Sequence, residues 1–78
     1  MIISKGLTKF ITAELLVDYE ENDLMEDDDL LTTGLIDSLG IMRLVTFIEE
    51  TFEKKIPYED ITIENFRSVK TMANYLQQ

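Results

Sequence analysis

The chain is 78 residues long, enough for one small domain that buries only about 60% of the surface its unfolded form exposes. It has no cysteine and no histidine, which removes disulfides, thiolate metal sites, cysteine nucleophiles and the commonest general base and metal ligand. Sixteen acidic against seven basic residues give a net charge of -9, which repels nucleic acid and anionic membrane surfaces and favours basic partners.

In chain order, Ile3, Leu7, Phe10, Ile11 and Leu15 recur at the spacing of one helical face, predicting a first helix over about 4–17, from Ser4 to Val17. Gly6 lies inside it and weakens its first turn by up to about 1 kcal/mol relative to alanine. The segment Met1 to Lys5 lacks the long apolar stretch of a signal peptide, and no apolar run approaches the roughly 20 residues of a spanning helix, so a cytoplasmic protein is expected.

From Asp18 to Asp29, eight of twelve positions are acidic, which predicts a solvated loop reaching residue 36, pinned to the core by Leu24, Leu30 and Leu31. The run is a poor calcium loop. Counted from Asp18, the sixth position is Asp23 where an EF-hand needs glycine, and the twelfth is Asp29 where it needs a bidentate glutamate. Only weak, nonspecific binding of divalent cations is expected, and no metal site is assigned.

Thr32-Thr33-Gly34 is a turn signal, and Asp37 is a suitable cap for the next helix. Ile41, Leu44, Val45, Ile48 and Phe52 form one apolar stripe, predicting a helix over about 38–53. Leu39, Arg43, Thr46, Glu50 and Glu53 project opposite that stripe, which makes Leu39 a solvent-facing leucine. Lys54 and Lys55 complement the helix's negative C-terminal end, and Pro57 lies beyond it. Short turns over about 58–66 are anchored by Ile61, Ile63 and Phe66. Ser68 then caps a short helix over about 69–77, with Val69, Met72, Tyr75 and Leu76 on one face. The expected fold is all-α, a bundle of three longer helices and one short one with a long acidic loop after the first, forming a single domain.

Ser38 sits in the first turn of the second helix, where unpaired N–H groups and the positive dipole end favour an attached anion such as a phosphodiester. It could also merely cap that helix, as Asp37 could. The surrounding Gly34-Leu35-Ile36-Asp37-Ser38-Leu39-Gly40 departs from the serine-hydrolase elbow, because Ile36 stands where that motif has glycine and no histidine is present as base. No catalytic residue is assigned.

Gly34-Leu35-Ile36-Asp37-Ser38-Leu39, the helix ending Phe47-Ile48-Glu49-Glu50-Thr51-Phe52, Ile56-Pro57 and Asn65-Phe66-Arg67-Ser68-Val69 together resemble the acyl carrier protein family over nearly the whole chain. The resemblance implies a four-helix bundle whose Ser38 carries covalent 4'-phosphopantetheine, attached from coenzyme A by a phosphopantetheinyl transferase that uses magnesium. It implies a non-catalytic, monomeric phosphoprotein that holds acyl or aminoacyl groups as thioesters. Partners would be a loading ligase and biosynthetic enzymes with basic docking patches, in fatty acid, polyketide, nonribosomal peptide or related biosynthesis. A tethered group reaches successive active sites at high effective concentration, and charge attraction speeds encounters without tight binding.

Asp37, Leu39, Arg43, Thr46 and Glu50 are the expected partner contacts, and Glu53 is read as part of a solvated face. Gly40 and Arg43 stand where carriers of primary fatty acid synthesis usually have acidic residues, which points to a dedicated standalone carrier. Phe47, Ile61 and Phe66 are the expected walls of an acyl pocket. If Phe47 leans between the second helix and Phe66, it shrinks that pocket and favours short acyl or aminoacyl cargo. The alternatives are an acidic interaction module whose Ser38 is only a helix cap and, within the family, a fatty acid synthesis carrier.

Overall fold

A computed structural model describes residues 2–16 and 18–78. Among the described residues, four α-helices make up the fold: α1 (Ile2–Phe10), α2 (Ser38–Phe52), α3 (Ile63–Phe66) and α4 (Val69–Leu76). Short 3-10 turns at Glu21–Asp23 and Tyr58–Asp60 interrupt the connections, and no strand occurs among the described residues. Helix α1 packs on α2 and α4, and α3 packs on α4.

The first helix begins two residues before its expected start at Ser4 and changes character after Phe10. Residues Ile11–Leu15 form a π-helical turn, closed by the Leu16 N–H donating to the Ile11 carbonyl at 2.8 Å. Lengthening the repeat from four residues to five alters which side chain faces the core. Leu15, expected on the buried stripe, is only half-buried, and Leu16 is buried with Leu7 and Ile11. Thr12 is buried within this turn and satisfies its hydroxyl by donating to the Thr8 carbonyl at 2.9 Å. The expected helix end at Val17 lies outside the described residues. At Gly6 of α1 a β-carbon would stand 3.2 Å from Cζ of Phe52 on α2, a close approach of the two helices.

Leu24 and Leu30 are buried and Leu31 half-buried, so the apolar residues of the acidic loop do hold it to the core. Backbone bonds complete the attachment. The Leu30 N–H donates to the Arg67 carbonyl at 2.6 Å, and the Lys70 N–H, in the first turn of α4, donates to the Glu26 carbonyl at 2.8 Å. The second of these satisfies an N–H that has no acceptor within its own helix.

Ile41, Leu44, Val45 and Ile48 of α2 are buried as their spacing predicts, and Phe52 is half-buried. The helix stops at Phe52, one residue short of the expected end, because Glu53 turns left-handed at φ 54°, ψ 42°. Beyond it, the Glu49 carboxylate accepts from the Ile56 N–H at 2.9 Å and fixes the return of the chain. Ser68 caps α4 reciprocally with Thr71, each side chain accepting from the other's backbone N–H. That helix ends at Leu76, one residue before the expected end.

Candidate functional site

The start of α2 is set by Asp37, whose Oδ1 accepts from the Gly40 N–H at 2.9 Å. Its carbonyl also takes the Ile41 N–H at 2.9 Å. Asp37 is therefore the cap, and among the described residues the exposed Ser38 hydroxyl makes no hydrogen bond. The first-turn N–H groups of Ser38 and Leu39 have no acceptor within the helix. Before the cap, Gly34 adopts a φ of 79°, a left-handed turn suited to glycine. The Ile36 N–H then donates to the Leu30 carbonyl at 2.9 Å. Gly40 is a packing requirement here, because a β-carbon would fall 2.8 Å from Cγ2 of the buried Ile36. An acidic side chain at this position would collide with the loop that presents Ser38.

Around α2, at about 100° per residue from Ser38, Met42 lies near 40°, Leu39, Thr46, Glu50 and Arg43 span roughly 80–140°, and Phe47 lies near 180°. Leu39 is 72% exposed, and Arg43, Thr46 and Glu50 are exposed with it. The last three border a shallow depression with Phe10 and Phe47. Arg43 is not a bare cation, since its Nη2 lies 3.5 Å from Glu14 Oε1, in the π-helical turn. Such exposed pairs contribute about 0–1 kcal/mol, so the guanidinium can change partners at little loss.

Ser38 opens on its other side onto a groove of about 720 Å³ between α2, the acidic loop, the Tyr58–Asp60 turn and α3. Leu31, Ile36, Ile41, Ile61 and Phe66 line it, and Met42, Tyr58 and Ile63 stand among its walls as exposed apolar residues. Ile61 and Phe66 are thus among the groove's lining residues. Phe47 is not. It stacks on Phe10 with ring centroids 4.3 Å apart and meets the edge of Phe52 at 6.1 Å, facing α1 instead of Phe66. Its position near 180° from Ser38 is the reason, and it leaves the groove unobstructed. Met42, Tyr58 and Ile63 were missed as groove residues. The signal for Met42 was its spacing four residues after Ser38.

Two polar clusters hold the groove walls. Asp29 accepts from the N–H groups of Leu31 at 3.1 Å and Thr32 at 2.9 Å, from the Thr32 hydroxyl, and from Arg67 Nη2 at 2.9 Å. The Thr32 hydroxyl and then the Arg67 guanidinium hold its carboxyl well below the usual carboxylate range. Asp60 accepts from the Tyr75 hydroxyl at 2.6 Å, and its carbonyl accepts from Asn65 Nδ2 at 2.9 Å. The bond to Asp60, with desolvation and the nearby charges, pushes the Tyr75 phenol up to about 12.

A helical bundle with an exposed, uncommitted serine at the head of a helix, beside an apolar groove, has the features needed to bear a covalently tethered group. Residues 11–76 match the phosphopantetheine attachment site family. The chain is 35% identical to an acyl carrier protein of Phytoplasma mali over 77 residues, covering 99% of this chain and 87% of that one. It is 29% identical over 59 residues to a D-alanyl carrier protein of Streptococcus pyogenes serotype M5, covering 76% and 75% of the two chains. With a D-alanyl carrier protein of Streptococcus uberis it shares 30% identity over 54 residues, covering 69% and 68%. The chain belongs to the phosphopantetheine-binding acyl carrier protein family, and its cofactor is covalent 4'-phosphopantetheine. The site fits that group: the Ser38 hydroxyl is exposed and uncommitted, and the adjacent N–H groups and helix dipole favour a phosphodiester.

Proposed function

We propose that Ser38 is the attachment residue and that this chain is a standalone carrier presenting acyl thioesters to enzymes of one biosynthetic pathway. The observation that carries this reading is the division of labour at the head of α2, where Asp37 caps the helix and leaves the Ser38 hydroxyl free. A serine kept only as a cap would accept a first-turn N–H, so the interaction-module reading ranks second. When bound, phosphopantetheine supplies a terminal thiol that holds cargo as a thioester. The transfer from coenzyme A joins the Ser38 oxygen to phosphorus and releases the adenosine bisphosphate, with catalysis coming from a phosphopantetheinyl transferase.

Asp37, Leu39, Arg43, Thr46 and Glu50 form the docking face for the transferase, a loading ligase and downstream enzymes. Leu39 supplies an apolar contact at the partner's tunnel mouth, and the net charge of -9 draws basic patches towards it. Arg43 asks for an acidic residue opposite, which sets these partners apart from those of a uniformly acidic carrier helix. Ile61 and Phe66 receive cargo in the groove. Because Phe47 faces α1, the reason for short cargo falls away, and a groove of about 720 Å³ suits an aliphatic acyl chain better than a D-alanyl group with its charged amine. No helix among the described residues is long and apolar enough to cross a membrane, and a monomeric, cytoplasmic carrier is the reading adopted.

Intact mass after incubation with coenzyme A, magnesium and a broad-specificity phosphopantetheinyl transferase tests the proposal. One phosphopantetheine is expected on the wild type and none on Ser38→Ala. Lack of any gain with several transferases, or a gain that survives Ser38→Ala, overturns it.

A further inference from the structure

The Tyr58–Asp60 turn presents the most exposed apolar side chain among the groove walls. Its backbone is fixed from behind: the Asp60 N–H donates to the Pro57 carbonyl at 2.9 Å, and the Ile61 N–H to the Tyr58 carbonyl at 3.0 Å. Asp60 is further tied by Asn65 Nδ2 at 2.9 Å and by the Tyr75 hydroxyl at 2.6 Å. On this rigid post the Tyr58 side chain is 84% exposed, and among the described residues its hydroxyl makes no hydrogen bond. An aromatic ring is a large apolar surface to leave in water. It stands at a groove that Ser38 shares, with Met42 and Ile63, 48% and 55% exposed, as its neighbours among the walls.

We infer that Tyr58 is the specificity-determining lid of the groove, its ring closing over an acyl chain tethered to Ser38. The inference rests on the proposed attachment at Ser38. The occupant is the chain's own cargo, because Leu39, Arg43, Thr46 and Glu50 of the docking face lie about 100° around α2 from the Ser38 side, and of that face only Asp37 reaches the groove, at its mouth. Apart from Asp37 at its mouth the groove carries no charge, so it selects an uncharged aliphatic chain. Chains too short to pass under the ring gain nothing from it. Closure is by rotation of the Tyr58 side chain, while Asp60 ties the turn to Asn65 and Tyr75.

The test uses the full chain loaded by a broad-specificity transferase from octanoyl-coenzyme A or acetyl-coenzyme A, with loading verified by intact mass. In the octanoyl form, NMR is expected to show nuclear Overhauser contacts between the acyl methylenes and the Tyr58 ring. Cleavage of the octanoyl thioester by hydroxylamine is expected to be about threefold faster in Tyr58→Ala than in wild type or Tyr58→Phe, as fits the loss of one ring contact. The acetyl thioester should be cleaved equally in all three. The thermal midpoint of the unloaded Tyr58→Ala variant should match wild type, since an exposed ring adds little to folding. Loaded protein with acyl contacts to Ile61 and Phe66 but none to Tyr58, equal octanoyl cleavage in wild type and Tyr58→Ala, or an acetyl effect as large as the octanoyl one would each overturn the lid. Failure to load Ser38 at all would overturn the attachment site and the lid with it, and mass alone distinguishes that outcome.

Discussion

The two flanks of α2 use the same kinds of side chain to opposite ends. On the α1 flank, Phe47 is closed over by Phe10 and Phe52, with centroid separations of 4.3 and 6.1 Å. On the Ser38 flank, Ile41 and Phe66 face an open groove, although Phe66 itself is only 1% exposed. The difference lies in what the neighbouring element can cover. Helix α1 has nine residues and continues into a π-helical turn, whereas α3 has four. A single helical turn cannot roof a groove that also borders the acidic loop. The open groove is therefore a consequence of a short third helix, with no large side chain removed from α2.

Substitution of the two phenylalanines should separate a ring that holds the fold from one that seals a flank. Phe66→Ala is expected to destabilise the protein by about 3–5 kcal/mol, the range for a fully buried aromatic side chain. Phe47→Ala, which loses half-buried surface and two ring contacts, should cost about 2 kcal/mol. Urea unfolding followed by circular dichroism measures both. A larger loss at Phe47 than at Phe66 would mean that the ring sealing the α1 flank, not the buried Phe66, contributes more to the fold.

The glycines sharpen the same contrast. In a helix interior, alanine is favoured over glycine by about 1 kcal/mol. At Gly40 a β-carbon meets Cγ2 of buried Ile36 at 2.8 Å, an overlap that costs about 1–3 kcal/mol to relieve. Gly40→Ala should therefore be net destabilising, by roughly 1 kcal/mol. At Gly6 the contact is 3.2 Å to the end of the half-buried Phe52 ring, which can move by a few tenths of an ångström. Gly6→Ala should be neutral to stabilising. Urea midpoints decide it, and a stabilising Gly40→Ala would show that Ile36 shifts freely and that Ser38 is held less firmly than this packing implies.

Much of this architecture was legible because it repeats. Ile41, Leu44, Val45 and Ile48 keep a helical period, and Asp37 and Ser68 are caps by residue type, so α2 and α4 could be drawn to within a residue at each end. The exposure of Leu39 followed from the same period. The π-helical turn was not legible, since a hydrogen bond from Leu16 to Ile11 leaves no mark in composition. That Phe47 faces away from Ser38 was readable from its helical angle, but its stacking on Phe10 was not. Among eight acidic residues between Asp18 and Asp29, the sequence offered only the nearby Thr32 to distinguish Asp29, and its other partner, Arg67, lies 38 positions away.

Acid should weaken the groove flank before the aromatic one, and Asp29 is the reason. Its folded carboxyl titrates far below the ordinary value of 3.8, so the stability it contributes is present above that value and is lost as pH falls through and below it. Protonation weakens the bonds to Arg67 and to the Leu31 and Thr32 N–H groups, which brace the loop whose Leu31 lines the groove. The effect is expected to be the smallest of the three, because Asp29 and Arg67 are only partly covered and their attraction is screened by salt. Hydrogen exchange of the Leu30 N–H, which donates to the Arg67 carbonyl, provides a local measure. Its protection should fall on acidification relative to that of the Phe47 N–H within α2, and Asp29→Asn should lower it at neutral pH and flatten the acid response. Equal loss of protection on both flanks would mean that acid opens the bundle as one unit and that the loop has no separate latch.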